Sequence, residues 1–177
     1  MHRELLRVLD APDGLILVAG YTGQGKTTVI EGVLADPGCR SDVAFVGDIR
    51  SVEQALRTVA LARAGVILGV LRIGQAAGVF GRLIDMGAAA RDVADIVRVA
   101  FATRLFRPPR AARFMLLHED LRVTDAIRAL ILAGADVDTI HRQAIAEGMR
   151  SLRKAGLVEV DMGRLPRDYV IEMTPDD

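Results

Sequence analysis

The segment Gly14–Thr28 constrains the fold more than any other part of the chain. It reads as a short apolar run, Leu15–Ala19 (LILVA), enclosed by Gly14 and Gly20, then the octet Gly20-Tyr21-Thr22-Gly23-Gln24-Gly25-Lys26-Thr27. Five consecutive apolar residues without alternation predict a strand covered on both faces. From Gly25 the spacing becomes helical, with Val29, Val33 and Leu34 on one side, until Asp36-Pro37-Gly38 forbids continuation. The octet fits G-x-x-x-x-G-K-[ST] and lies where that pattern has a mechanism, between a buried strand and a helix. Glycines let the backbone curl so that successive N–H groups face one anion, and the helix N-terminus adds its positive end to the same point. The expected nucleotide-binding residues are Gly20, Thr22, Gly23, Gln24, Gly25, Lys26, Thr27 and Thr28. Lys26 is expected to reach the outer phosphates and the Thr27 hydroxyl to hold Mg2+. Only two of the 23 basic residues are lysines, Lys26 and Lys154, so a lysine in the octet stands out. There a compact ammonium on a flexible stem suits a phosphate better than a planar fork.

The strand-then-helix unit recurs. Val43–Val46 is a second apolar run, closed by Gly47 and Asp48, and Ser51 opens a helix with Ala55, Leu56, Val59 and Ala60 as its apolar face. Val66–Leu71 is the third strand and Gln75–Met86 the following helix, stopped by Gly87. Three repeats of this alternation predict a mostly parallel sheet flanked by helices, an α/β architecture. Asp92–Val99 reads as a further helix, and 100–106 with 113–117 as an antiparallel extension around Pro108-Pro109. Helices follow at Thr124–Ala133, Thr139–Glu147 and Ser151–Lys154, the last stopped by Gly156. The expected organisation is a nucleotide-binding core over 1–109, a small helical C-terminal subdomain over 110–163, and a frayed or loosely docked tail over 164–177.

Composition narrows the partners. Lys+Arg and Asp+Glu are both 23, so no global field draws the chain onto nucleic acid or an anionic membrane. Aromatics are 4% and Trp is absent, which leaves little material for stacking on bases. No nucleic-acid partner is expected. Cys39 is the only cysteine, so an intrachain disulfide and a cysteine-based zinc cluster are excluded, and a reducing compartment fits. No apolar stretch approaches the ~18–20 residues that cross a bilayer, and Met1–Leu9 alternates charge with leucine; the expected location is cytoplasmic.

With these segments in place, the chain resembles the ATPases of type II secretion and type IV pilus systems. GLILVAGYTGQGKTT at Gly14–Thr28 resembles that family's phosphate loop. VAFVGDIRSVEQALRTVALARAG at Val43–Gly65 is similar to its Walker B region, and VILGVLRIGQAAGVFGRLIDMG at Val66–Gly87 to the segment that follows. RLIDMG at Arg82–Gly87 is reproduced letter for letter, and Glu119–Ile131 and Glu147–Leu157 look like the C-terminal helical region. The resemblance implies a RecA-like P-loop core, ATP and Mg2+ as cofactors, and Asp48 at the Walker B position, where it would hold the metal together with Thr27. It also implies oligomerisation, with copies of itself or with a secretion or pilus ATPase, and peripheral contact with inner-membrane machinery.

The departures bear on catalysis. In the family several dozen residues, including an acidic box that supplies the catalytic glutamate, separate the phosphate loop from Walker B; here fourteen residues separate Thr28 from Val43. Asp48 stands where the family has glutamate, and the two histidines of its His box fall on Val66 and Arg72. Thirteen residues precede Gly14, so the family's N-terminal domain is expected to be absent. As catalytic residues the sequence offers Asp48 and Arg72, the latter at the end of the third strand, where open parallel sheets bind ligands. Glu31 and Glu53 read as solvated helix positions, as do Asp92 and Asp95, and His2, His118 and His141 lack metal-ligand spacing. Three functions stay open: an ATP-binding and hydrolysing subunit, an inactive nucleotide-binding paralogue that joins an ATPase assembly, and a small-molecule kinase. The last would use Arg104, Arg107, Arg110 and Arg113 as a lid, although a solvated hairpin explains those arginines as well.

Overall fold

A computed structural model describes residues 1–108 and 114–177. Its centre is one five-stranded sheet in the order β2-β3-β1-β4-β5, with β1 at Gly14–Ala19, β2 at Ala44–Asp48, β3 at Val66–Leu71, β4 at Val97–Phe106 and β5 at Met115–Arg122. β1 runs parallel to both neighbours, β2 runs parallel to β3, and β5 is antiparallel to β4. The α/β class and the mostly parallel sheet are as the sequence predicts.

Every residue of β1 is buried because the sheet is covered on both sides. On one face Ile16 and Val18 meet Leu5 and Leu9 of α1 (His2–Leu9) and Ile30 and Val33 of α2 (Lys26–Leu34). On the other, Leu15, Leu17 and Ala19 join the larger core built by α3 (Val52–Leu61), α4 (Gly78–Asp85), α5 (Ala90–Ile96) and the C-terminal helices. Each fully buried Leu or Ile side chain contributes about 1.5–3 kcal/mol. Ser51 caps α3 through a complete capping box with Gln54, which fixes where the chain turns after β2.

The chain leaves β1, passes over β3 to form β2, and returns to insert β3 between them. The register Ala19↔Leu71 and Asp48↔Val70 therefore brings Gly20, Asp48 and Arg72 to the same carboxyl edge of the sheet. That edge is where open α/β sheets bind ligands.

Four local expectations change. The antiparallel extension expected over 113–117 is present from Met115, but the strand runs on through Arg122 into residues read as helical: Leu117, Glu119 and Leu121 face inward in alternation and the backbone completes the sheet against β4. The pattern is hard to read because a carboxylate occupies an inward position. The boundary placed between 109 and 110 lies outside the described residues. The helix expected over 92–99 ends at Ile96, since Val97–Val99 pair with β1 and β5. The supposed tail holds α9 (Arg167–Met173), with Val170 fully buried and Tyr169 edge-on to Phe106, ring centroids 5.4 Å apart.

The fourth change concerns α8 (Leu152–Asp161), which continues through Gly156 instead of stopping there. A Cβ at Gly156 would lie 2.5 Å from Val170 Cγ1, so the glycine marks close approach of α8 to α9 rather than a helix end. Replacing Gly156 with alanine should therefore destabilise the protein by about 1 kcal/mol, the helix-propensity gain of about 1 kcal/mol offsetting part of an overpacking cost of about 1–3. Urea denaturation measures it, and a stabilised Gly156→Ala would show that α9 simply moves away.

Candidate functional site

The glycine-rich loop leaves β1 at the buried Gly20, whose N–H donates to Leu71 O at 3.2 Å. Gly23 and Gly25 both have φ +80, a left-handed conformation that glycine adopts without strain. Gly25 is the N-cap of α2, so the loop delivers its last N–H groups to the positive end of that helix. Thr22, Gly23, Thr27 and Thr28 are exposed at the mouth.

β4 holds the loop from below. The buried Thr103 hydroxyl donates to Gln24 O at 2.9 Å and lies 3.3 Å from Ala19 O, while Leu105 N–H donates to Gln24 Oε1 at 2.6 Å. Thr103 is a site residue that sequence reasoning missed, because nothing in a strand pattern marks a residue as a clamp on a distant loop. Arg104, next along the strand, is 9% exposed, with its guanidinium 5.5 Å from the Tyr21 ring centroid. It is thus neither a solvated hairpin residue nor a free lid. Arg107 is exposed and lies near the Phe114 ring, while Arg110 and Arg113 lie outside the described residues.

Lys26 is 8% exposed, and its ammonium donates to Tyr21 O at 2.7 Å, within its own loop. Burial pushes its pKa down; Asp48 raises it and Arg72 lowers it again, so the three groups share one electrostatic neighbourhood. At the end of β2, Asp48 Oδ2 accepts from Arg50 Nε at 2.8 Å and from Arg72 Nε at 2.9 Å. Burial alone would raise the Asp48 pKa, but the two guanidiniums outweigh it and hold the carboxyl below its ordinary range. Sequence reasoning brought Asp48 and Arg72 to the site but missed Arg50, although it stands two residues past Asp48. Glu31 and Glu53 are exposed and form no hydrogen bond or ion pair with this group among the described residues.

The resemblance places Mg2+ between Thr27 and Asp48. Thr27 is exposed and its hydroxyl has no partner among the described residues. Asp48 does not fit the role as arranged. Its Oδ2 already accepts from two guanidiniums, and its Oδ1 is buried without a hydrogen-bond partner. Magnesium keeps near-ideal octahedral geometry and takes one or two carboxylates directly or through its waters, and at Oδ2 it would have to displace two guanidiniums. Among the described residues no group of three or more His, Cys, Asp or Glu side chains is arranged to hold a metal.

A central strand, a glycine-rich turn and a helix at the carboxyl edge of a mostly parallel sheet define the P-loop ATPase fold. The pilus retraction motor PilT, solved with bound ADP, superposes with TM-score 0.82 at 19% identity, over 98% of this chain and 64% of that one. The Legionella pneumophila ATPase DotB does so with TM-score 0.78 at 13% identity, over 96% and 62%. No protein-family model matches the chain. In sequence it is similar to the type II secretion system protein HxcR of Pseudomonas aeruginosa, 25% identical, covering 93% of this chain and 49% of that protein. It is also similar to the type IV pilus assembly ATPase PilB of Myxococcus xanthus, 23% identical, covering 96% and 45%. The chain's relatives are thus the type II secretion and type IV pilus ATPases, at low identity over most of its length. It spans about half the length of these curated relatives. The match to HxcR runs over 231 positions, more than the 177 residues of this chain, so the relative carries residues within the matched region that have no counterpart here.

Proposed function

We propose that this chain is a nucleotide-binding subunit of the secretion and pilus ATPase type, taking the phosphates of ATP on Gly20–Thr28. The observation that carries the reading is the loop itself, clamped by Thr103 and Leu105 and opening its N–H groups at the N-terminus of α2. In the nucleotide-bound form Lys26 would exchange its bond to Tyr21 O for the outer phosphates. No helix among the described residues is long and apolar enough to cross a membrane. The proposed place of action is the cytoplasmic face of the inner membrane, within an oligomer or against a related ATPase.

A second reading, binding without turnover, is favoured by one observation. Asp48 Oδ2 is engaged by Arg50 and Arg72, and the candidate carboxylates Glu31 and Glu53 are exposed and make no hydrogen bond or ion pair with that cluster among the described residues, so none of these carboxylates is held ready to orient an attacking water. On this reading nucleotide stabilises the fold and the assembly by mass action. The kinase reading gains nothing from Arg104, which is packed under Tyr21.

The test is titration of a fluorescent ATP analogue into the protein in buffer containing Mg2+, with phosphate release measured on the same samples. Wild type should bind, and Lys26→Ala should bind more than about tenfold more weakly, the loss of charge-assisted hydrogen bonds to phosphate. Turnover in wild type would select the ATPase; lysine-dependent binding without turnover would select the non-hydrolysing subunit. No binding by wild type would overturn the proposal.

A further inference from the structure

We propose that this site binds nucleotide without a magnesium ion, with Arg50 and Arg72, positioned by Asp48, supplying the positive charge that the metal would otherwise bring. The inference rests on the nucleotide-binding reading and changes its chemistry. Two guanidiniums, Arg50 and Arg72, are bonded to the carboxylate of Asp48, and the Lys26 ammonium is close enough to interact electrostatically with Asp48 and Arg72. The cluster therefore carries a net positive charge before any ligand arrives. A divalent cation entering it would be repelled by these cations, whereas a metal-free polyphosphate, more negative than its magnesium complex, would meet attraction.

The geometry at Asp48 points the same way. Its Oδ2 is shared by Arg72 Nε at 2.9 Å and by Arg50 through Nε at 2.8 Å and Nη2 at 2.7 Å, and its Oδ1 is buried without a partner. A metal's water shell would have to displace both arginines to reach Oδ2. The guanidiniums, by contrast, still have donors to give. A guanidinium has five N–H groups in a planar fork. Arg72 spends its Nε on Asp48, and both Nη groups are without a partner among the described residues; Arg50 keeps Nη1. Arg72 and Arg50 are 49% and 61% exposed, and strand register puts them at the same carboxyl edge as the loop, so these donors are open to a ligand bound there. Bidentate donation to phosphate oxygens is what such forks do best. Asp48 is then a positioning residue for two arginines and not a metal ligand.

The experiment is titration of a fluorescent ADP analogue into the full chain in excess EDTA and, separately, in excess MgCl2. For wild type the two dissociation constants should agree within about twofold. In EDTA, Arg72→Gln and Arg50→Gln should each weaken binding about tenfold, the loss of one charged hydrogen-bonding group. The double variant frees Asp48 and should become Mg2+-dependent. The arginines are exposed enough that all variants should keep the wild-type Tm within a few degrees, which circular dichroism checks. Wild-type binding seen only with Mg2+ would overturn this inference and leave the nucleotide reading standing. Binding indifferent to both arginines would also overturn it, and no binding in either buffer would overturn both.

Discussion

Glu119→Ala is expected to lower stability by roughly 3–5 kcal/mol, with a fall in Tm of roughly 10 °C. Glu119 lies on β5, 1% exposed, and its two oxygens accept from the backbone N–H of Ala76, before α4, at 2.8 Å and of Leu152, the first residue of α8, at 3.1 Å. One carboxylate thus ties two helix starts to the edge strand. Alanine would leave both buried donors unsatisfied, which costs about 1–3 kcal/mol each, besides losing the bonds themselves. Thermal denaturation followed by circular dichroism measures it, and a Tm within a degree or two of wild type would show that water replaces the carboxylate.

The same residue makes stability depend on pH. Burial raises the Glu119 pKa above 4.5; the N–H groups of Ala76 and Leu152 and the nearby His141 oppose the rise, and Asp177 adds to it. An acid with a raised folded-state pKa holds its proton more tightly when folded than unfolded. Its contribution is fully present below the ordinary carboxylate pKa and is lost as pH rises through the raised value. The difference in urea midpoint between wild type and Glu119→Gln, which keeps an acceptor for one of the two N–H groups, should therefore shift against wild type as pH rises above about 4.5, whatever other groups such as His118 add equally to both. An equal slope in both proteins would show that Glu119 ionises alike in the folded and unfolded chains.

Gly25→Ala is the second large effect: a loss of roughly 2–4 kcal/mol together with more than about tenfold weaker nucleotide binding. Gly25 has φ +80, and a Cβ there would lie 2.8 Å from Leu116 Cδ1. The left-handed backbone alone costs about 1–2 kcal/mol for a non-glycine residue, and displacing the Leu116 side chain on β5 adds to it. Gly23→Ala is the control. Its φ is also +80, but nothing lies within 4 Å of its Cβ position, so only the backbone strain should appear. Comparable losses at the two positions would mean that the contact with Leu116 carries no weight.

The three strand-helix units were legible because each uses strong local chemistry. The apolar run Leu15–Ala19 is as continuous as a doubly covered strand must be, and Ser51 with Gln54 spells out a cap that forms as written. Legibility failed where a residue answers to a partner far along the chain. Gly156 reads as a helix stop and is a seat for Val170, and the tail around Pro166 reads as frayed or loosely docked, whereas it forms a helix whose Tyr169 packs on Phe106.

The candidate site divides in the same way. The sequence by itself determined the octet Gly20–Thr27, since a glycine-rich turn between a buried strand and a helix is encoded by neighbours within a few residues of one another. It also placed Asp48 and Arg72 at strand ends. Only the tertiary structure decided what those residues do to each other. Parallel pairing of β1, β3 and β2 carries Lys26, Asp48 and Arg72 to one edge, Arg50 and Arg72 converge on a single carboxylate oxygen, and Thr103 reaches the loop across 79 residues of chain to Gln24. The physical reason is range. Turns, caps and periodicity act over a few residues, whereas the charge on a carboxylate and the pose of a loop depend on groups that only the folded sheet brings within hydrogen-bonding distance.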